Sequence, residues 1–81
     1  MKDEDLIKLG FEKQVEESDK SKPFYYYTLD ITKGLSFITL ANDEVENGEW
    51  VVEIFESPEI KFKDVKTLSI LIDILNQNKN E

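Results

Sequence analysis

The chain contains no cysteine, no histidine and no arginine. Without cysteine there is no disulfide framework, no thiolate nucleophile and no thiolate zinc site. Without histidine there is no imidazole base and no imidazole metal ligand. Without arginine the planar fork that grips phosphate and guanine bidentately is missing, and all ten basic residues are lysines. Long apolar runs are also missing: none approaches the roughly 20 residues needed to span a bilayer. The first residues, Met1 to Asp5, are acidic where a secretory signal needs basic residues followed by an apolar stretch. The reading is a cytoplasmic chain with no disulfide, membrane contact or direct nucleic-acid contact.

What is present is acid. Eighteen Asp and Glu stand against those ten lysines, for a formal charge of −8 over 81 residues. At this length the chain reads as a single domain over residues 1–81, burying about 60–65% of its unfolded surface, with no room for an enclosed cofactor pocket. No cofactor is expected.

Asp3, Glu4 and Asp5 precede Leu6, Ile7 and Leu9, and Gly10 follows. Acids at the start and glycine just past the end predict a short helix closed by a left-handed residue, with Phe11 folding back onto it. The first half of residues 11–22 reads as an edge strand. The second half, around Ser18 to Ser21, reads as an exposed loop. Pro23 starts the chain extended, and Phe24 to Ile31 is the clearest strand. Lys33-Gly34 separates it from Leu35 to Leu40. If those two residues are the centre of the turn, Ile31 pairs with Ser36, Leu29 with Ile38 and Tyr27 with Leu40. Tyr25, Tyr27, Leu29, Ile31, Ile38 and Leu40 then share the buried face. Tyr26, Thr28, Asp30, Leu35, Phe37 and Thr39 share the other.

Asn47-Gly48 is a tight-turn signal before a third strand, Glu49 to Phe55. Placing Trp50, Val52 and Ile54 inward requires a bulge or an odd-length loop within residues 41–48. Ser57-Pro58 breaks the strand, and Ile60 to Phe62 adds a short edge. Asp64 is the N-cap of a final helix from Val65 to about Gln77. Its apolar stripe is Val65, Leu68, Leu71, Ile72 and Leu75, widened by Ile70 and Ile74, and its polar tail frays. The order gives an α+β fold. An antiparallel meander sheet of three to five strands carries a short N-terminal helix, and a C-terminal helix packs on one face.

The charge is concentrated. Asp43, Glu44, Glu46, Glu49, Glu53, Glu56 and Glu59 lie between Lys33 and Lys61 with no base among them. A solvated hairpin that keeps the protein soluble is the plain explanation. A calcium loop fails on pattern: with Asp43 first, Val45 sits at a ligand position and Ile54 replaces the closing glutamate. Catalytic carboxylates need a concave, partly dry site, which a small sheet under one helix does not offer. A protein-binding surface needs only rigid presentation of charge toward a basic groove. Where that groove holds nucleic acid, the hairpin stands in for phosphates. Glu46 and Glu49 oppose each other across the turn, a repulsion that either a partner or a flexible tip would relieve. Tyr25, Tyr27 and Trp50 are read as core, the indole N–H needing a partner. Tyr26 with Phe37 is read as an exposed anchor pair.

The motifs Leu9-Gly10-Phe11-Glu12, Phe24 to Ile31, Trp50 to Phe55 and the closing Leu/Ile helix resemble small uncharacterised proteins carried by phages and prophages. In size, acidity and element order the chain is also similar to some phage-encoded anti-CRISPR and anti-restriction inhibitors. The resemblance implies a non-enzymatic inhibitor acting in a host cytoplasm and assigns no residues.

The sequence therefore predicts a protein-interaction module that is not an enzyme and holds no metal. Its partner-binding residues are Asp43, Glu44, Glu46, Glu49, Glu53, Glu56, Tyr26 and Phe37. The alternative is a self-assembling accessory protein that dimerises through the Tyr26/Phe37 face.

Overall fold

The computed structural model describes residues 1–17 and 23–79. The elements in chain order are α1 (Asp3–Lys8), β1 (Glu12–Glu16), β2 (Phe24–Thr32), β3 (Leu35–Thr39), a 3₁₀ turn (Asn42–Glu44), β4 (Val52–Ile54), β5 (Ser57–Phe62) and α2 (Val65–Asn78). The strands form one antiparallel sheet in the order β1-β2-β3-β4-β5, a meander in which every neighbour in sequence is a neighbour in space. The fold is α+β, as expected. The loop expected around Ser18 to Ser21 lies outside the described residues.

Helix α1 is short because its C-terminus is closed by a Schellman motif. Gly10 sits at φ +99°, its N–H donates to Ile7 O, and the Phe11 N–H donates to Leu6 O. Leu6 and Phe11, brought together by that motif, are both buried. At the other end, Asp5 Oδ2 accepts from the Lys2 N–H at 2.9 Å. Helix α2 starts at Asp64, whose carboxylate accepts from the Thr67 hydroxyl at 2.7 Å and the Thr67 N–H at 3.1 Å. Those bonds hold the Asp64 carboxyl below its usual range. Leu68 and Ile72 of α2 are buried, with Val65, Leu71 and Leu75 packed beside them. Ile70 and Ile74, expected to widen the stripe, instead point to solvent. The helix also runs one residue further than predicted, to Asn78, whose side-chain amide donates to Ile74 O at 2.7 Å. No helix among the described residues is long and apolar enough to cross a membrane.

Leu6, Leu68 and Ile72 join Tyr27, Ile31, Phe37, Trp50 and Val52 in one buried cluster, so both helices cover the same sheet face. On that face, register aligns Leu29 with Phe37 and Phe37 with Ile54 in one row, and Tyr27, Thr39, Val52 and Phe62 in the next. The β2–β3 register is one residue away from the expected one, because Thr28 pairs with Ile38 and a bulge falls between Asp30 and Thr32. A one-residue slip turns every side chain of a strand to the other face. Phe37 and Thr39 are therefore inside, with relative exposures of 0% and 5%, while Ile38 and Leu40 face out. The slip buries an aromatic ring in place of an aliphatic side chain. Phe37 meets Phe62 edge to face at 6.0 Å. The Thr39 hydroxyl costs little because it accepts from the Tyr27 N–H and donates to Leu40 O, both at 2.9 Å. Ile31, at the bulge, stays inside as expected.

Trp50, Val52 and Ile54 face inward as expected. The device that allows it is the 3₁₀ turn plus a tight turn at Asn47 (φ 55°) and Gly48 (φ 70°), the type I′ signature. Strand β4 begins later than predicted because the Trp50 N–H leaves the ladder and donates to Met1 O at 2.7 Å. Strand β5 begins earlier, at Ser57. Pro58 is tolerated there because β5 is an edge.

The centre of the core is a polar clamp. Asp3 Oδ2 accepts from the Tyr27 hydroxyl at 3.0 Å, and Asp3 Oδ1 accepts from the Trp50 indole N–H at 2.7 Å. The two rings pack edge to face at 5.1 Å. Asp3→Ala leaves two donors on nearly buried rings without a partner, and is expected to lower unfolding free energy by about 2 kcal/mol. Urea denaturation of both chains measures this. An unchanged midpoint would show that water replaces the carboxylate.

Burial first, and then the Asp3 carboxylate, push the Tyr27 phenol up to about 12. The folded phenol holds its proton more tightly than the unfolded one at about 10. Its contribution to stability is complete below pH ~10 and is lost as pH rises toward about 12. Unfolding on alkaline titration should shift to higher pH in Tyr27→Phe, measured against that variant's own stability at neutral pH.

Candidate partner-binding surfaces

The loop from Asn42 to Glu49 is held at three points. Asn42 Oδ1 accepts from the Tyr25 N–H at 2.8 Å, on the end of β2. Lys2 Nζ donates to Asn47 O at 3.3 Å. Glu49 receives the Met1 α-ammonium on Oε2 at 2.8 Å and Lys2 Nζ on Oε1 at 2.9 Å. The hydrogen bonds from the α-ammonium and Lys2, followed by their charges, pull the Glu49 carboxyl down to about 2. The repulsion expected between Glu46 and Glu49, which do form a bridge pair across the turn, is thereby offset.

The predicted site residues separate into three groups. Asp43, Glu44, Glu46 and Glu56 are exposed, and none of them makes an ion pair among the described residues. Glu49 and Glu53 are already neutralised within the chain, Glu53 by Lys61 from the next strand. Phe37 is the correction. It is fully buried, with its ring among the core residues under the helices, and so cannot act as an exposed anchor. The interval without bases in sequence is thus not without them in space. The meander and α1 bring Lys2, the α-ammonium and Lys61 to it.

The other sheet face carries no helix. Alternation puts Tyr26 and Thr28 of β2, Ile38 of β3, and Glu53 and Phe55 around β4 on it. One open depression of about 250 Å³ is lined by Tyr26, Thr28, Asp30, Ser36, Phe37, Ile38 and Phe55. A second, of about 380 Å³, shares Ile38 and Phe55 and extends to Pro58. A third, also about 380 Å³, continues toward the acidic loop and is lined by Leu40, Val51, Glu44, Glu46 and Lys63 among others. Tyr26 is half-buried, stacked on Phe24 at 6.4 Å, with its hydroxyl donating to Glu16 at 3.3 Å. Burial and that carboxylate raise the phenol above its usual range. Phe55 is 56% exposed, held out by a two-residue turn in which Glu56 adopts φ +77°.

Sequence reasoning put Phe55 on the outward set and missed Ile38 and Leu40 as surface residues. Phe55 was legible, since it alternates with the inward Val52 and Ile54. Ile38 and Leu40 were not, because their facing depends on the bulge.

Among the described residues, no group of three or more Asp, Glu, His or Cys side chains is placed to hold a metal ion. No protein-family model, curated protein or solved structure matches this chain.

Glu49's lowered carboxyl makes its ion pairs an acid-sensitive anchor. Their contribution is present above the unfolded value of 4.5 and is lost as pH falls toward about 2. Glu49→Gln should therefore flatten the acid limb of the stability profile while leaving the alkaline limb in place. Denaturant midpoints measured across that interval test it, and parallel acid limbs would assign the loop's anchorage elsewhere.

Proposed function

We propose that this chain is a non-enzymatic protein-interaction module that presents a pinned acidic loop to a partner with a basic surface. Three carboxylates without an ion pair among the described residues, Asp43, Glu44 and Glu46, on a loop anchored at Asn42, Asn47 and Glu49, carry the reading. Charge on an ordered loop binds without first losing conformational entropy, and an acidic surface raises the encounter rate with a basic one. Among the described residues, Lys2 and the α-ammonium pair with Glu49, and no ion pair is made by Asp43, Glu44 or Glu46, which leaves those three carboxylates open to a partner.

The partner class that fits is a protein whose basic groove ordinarily holds nucleic acid. The module would act in the cytoplasm as an inhibitor that occupies the groove in place of phosphates. The resemblance in size, acidity and element order to phage-encoded inhibitors supports that class.

The test is capture of a partner on the immobilised chain, identification of the bound protein, and a repeat with Asp43→Lys, Glu44→Lys and Glu46→Lys combined. Glu49 is left in place because it anchors the loop. The triple variant is expected to lose affinity at least about tenfold. Wild-type binding should weaken with added salt as exposed charges are screened over about 10 Å. Nucleic acid should compete for the captured protein. A partner held equally by both chains would overturn the reading.

A further inference from the structure

Asn47-Gly48 closes the acidic loop, and the same two residues can react with each other. Where glycine follows asparagine, the glycine nitrogen meets no side chain on its way to the asparagine amide carbon. Asn42, Asn76 and Asn78 precede Asp43, Gln77 and Lys79, whose side chains crowd that approach. Two of those amides are also held: the Asn42 side-chain oxygen accepts from the Tyr25 N–H at 2.8 Å, and the Asn78 side-chain nitrogen donates to Ile74 O at 2.7 Å. Asn47 and Gly48 are exposed. Among the described residues, neither the Asn47 side chain nor the Gly48 N–H has a hydrogen-bond partner.

The closed turn holds the reaction back. A type I′ turn sets ψ of its first central residue near about +30°, which places the Gly48 nitrogen almost opposite the Asn47 Cβ across the Cα–C bond. Ring closure needs the two on the same side, so the turn must open first. It is held shut by the Glu49 N–H on Glu46 O at 2.9 Å and by Lys2 Nζ on Asn47 O at 3.3 Å. The ion pairs of Glu49 with the α-ammonium and Lys2 hold the strand beyond it. Exposed ion pairs are weak latches, and a surface turn opens far more often than the whole fold.

We propose that Asn47 is a site of covalent modification, a self-deamidation whose rate is set by how often the pinned turn opens. In the open turn, water or hydroxide takes the Gly48 N–H proton and the nitrogen bonds to Asn47 Cγ. The Cγ–Nδ2 bond breaks, and the nitrogen leaves as ammonia with a proton returned from solvent. Water then adds at either carbonyl of the succinimide, and the ring opens to aspartate or isoaspartate. Aspartate places a new carboxylate beside Glu46. Isoaspartate does so too, and also sends the main chain through Cβ, a lengthening that a two-residue turn does not accommodate. This goes beyond the loop reading and requires no partner.

The test is to incubate the full folded chain in neutral buffer made with oxygen-18 water and follow each asparagine by peptide mass mapping. Asn47 is expected to exchange its amide nitrogen for a solvent oxygen ahead of Asn42, Asn76 and Asn78. It should do so at least about tenfold more slowly than in the same chain unfolded in urea. Glu49→Gln keeps the side chain's size and removes its charge, and is expected to speed the folded reaction about threefold, with circular dichroism confirming the fold. Lys2→Met removes the contact to Asn47 O, is expected to act in the same direction, and serves where Glu49→Gln fails to fold. Conversion at Asn47 no faster than at the other three asparagines overturns the site. Equal rates in folded and unfolded chains, or in wild type and both folded variants, overturn control by the turn.

Discussion

A single carboxylate organises this molecule. Asp3 sits in the first turn of a six-residue helix that is too short to be stable alone, and it accepts one hydrogen bond from a tyrosine of β2 and one from the tryptophan before β4. Those two bonds fix where α1 lies on the sheet, and much else follows from that position. Met1 comes within reach of the Trp50 N–H, and the α-ammonium and Lys2 reach Glu49. Lys2 also reaches Asn47 O. The order of the acidic loop is therefore inherited from a core contact. Loss of Asp3 would loosen the helix, and with it the Lys2 and Glu49 points that hold the loop, while the Asn42 contact with β2 stays in place.

The sequence made the strands, both helices and the meander legible because each rests on local signals. Gly10 closes α1, Asp64 opens α2, and Asn47-Gly48 makes a type I′ turn. The facing of β3 rests on a longer-range choice. A bulge beside Lys33-Gly34 is invisible in composition, and both candidate registers bury apolar residues from β2. What decides is the partner of β3: Phe37 finds Phe62 from β5, and Thr39 finds the Tyr27 N–H. Neither contact can be inferred until the order of five strands is known. That is why Tyr26 lies on the uncovered face while Phe37, expected beside it, is in the core.

The same distinction applies to charge. Counting along the chain locates an acidic interval, but counting cannot show which carboxylates already have partners. The meander places Lys61 beside Glu53, and α1 delivers two cations to Glu49. Among the described residues, the acids without an ion pair are fewer than the sequence interval holds: Asp43, Glu44 and Glu46 on the loop, Glu56 at the far turn and Glu59 on β5. The Asp3 clamp was also hidden, since an acid in a first helical turn is fully explained by the helix dipole until the rings it touches are located.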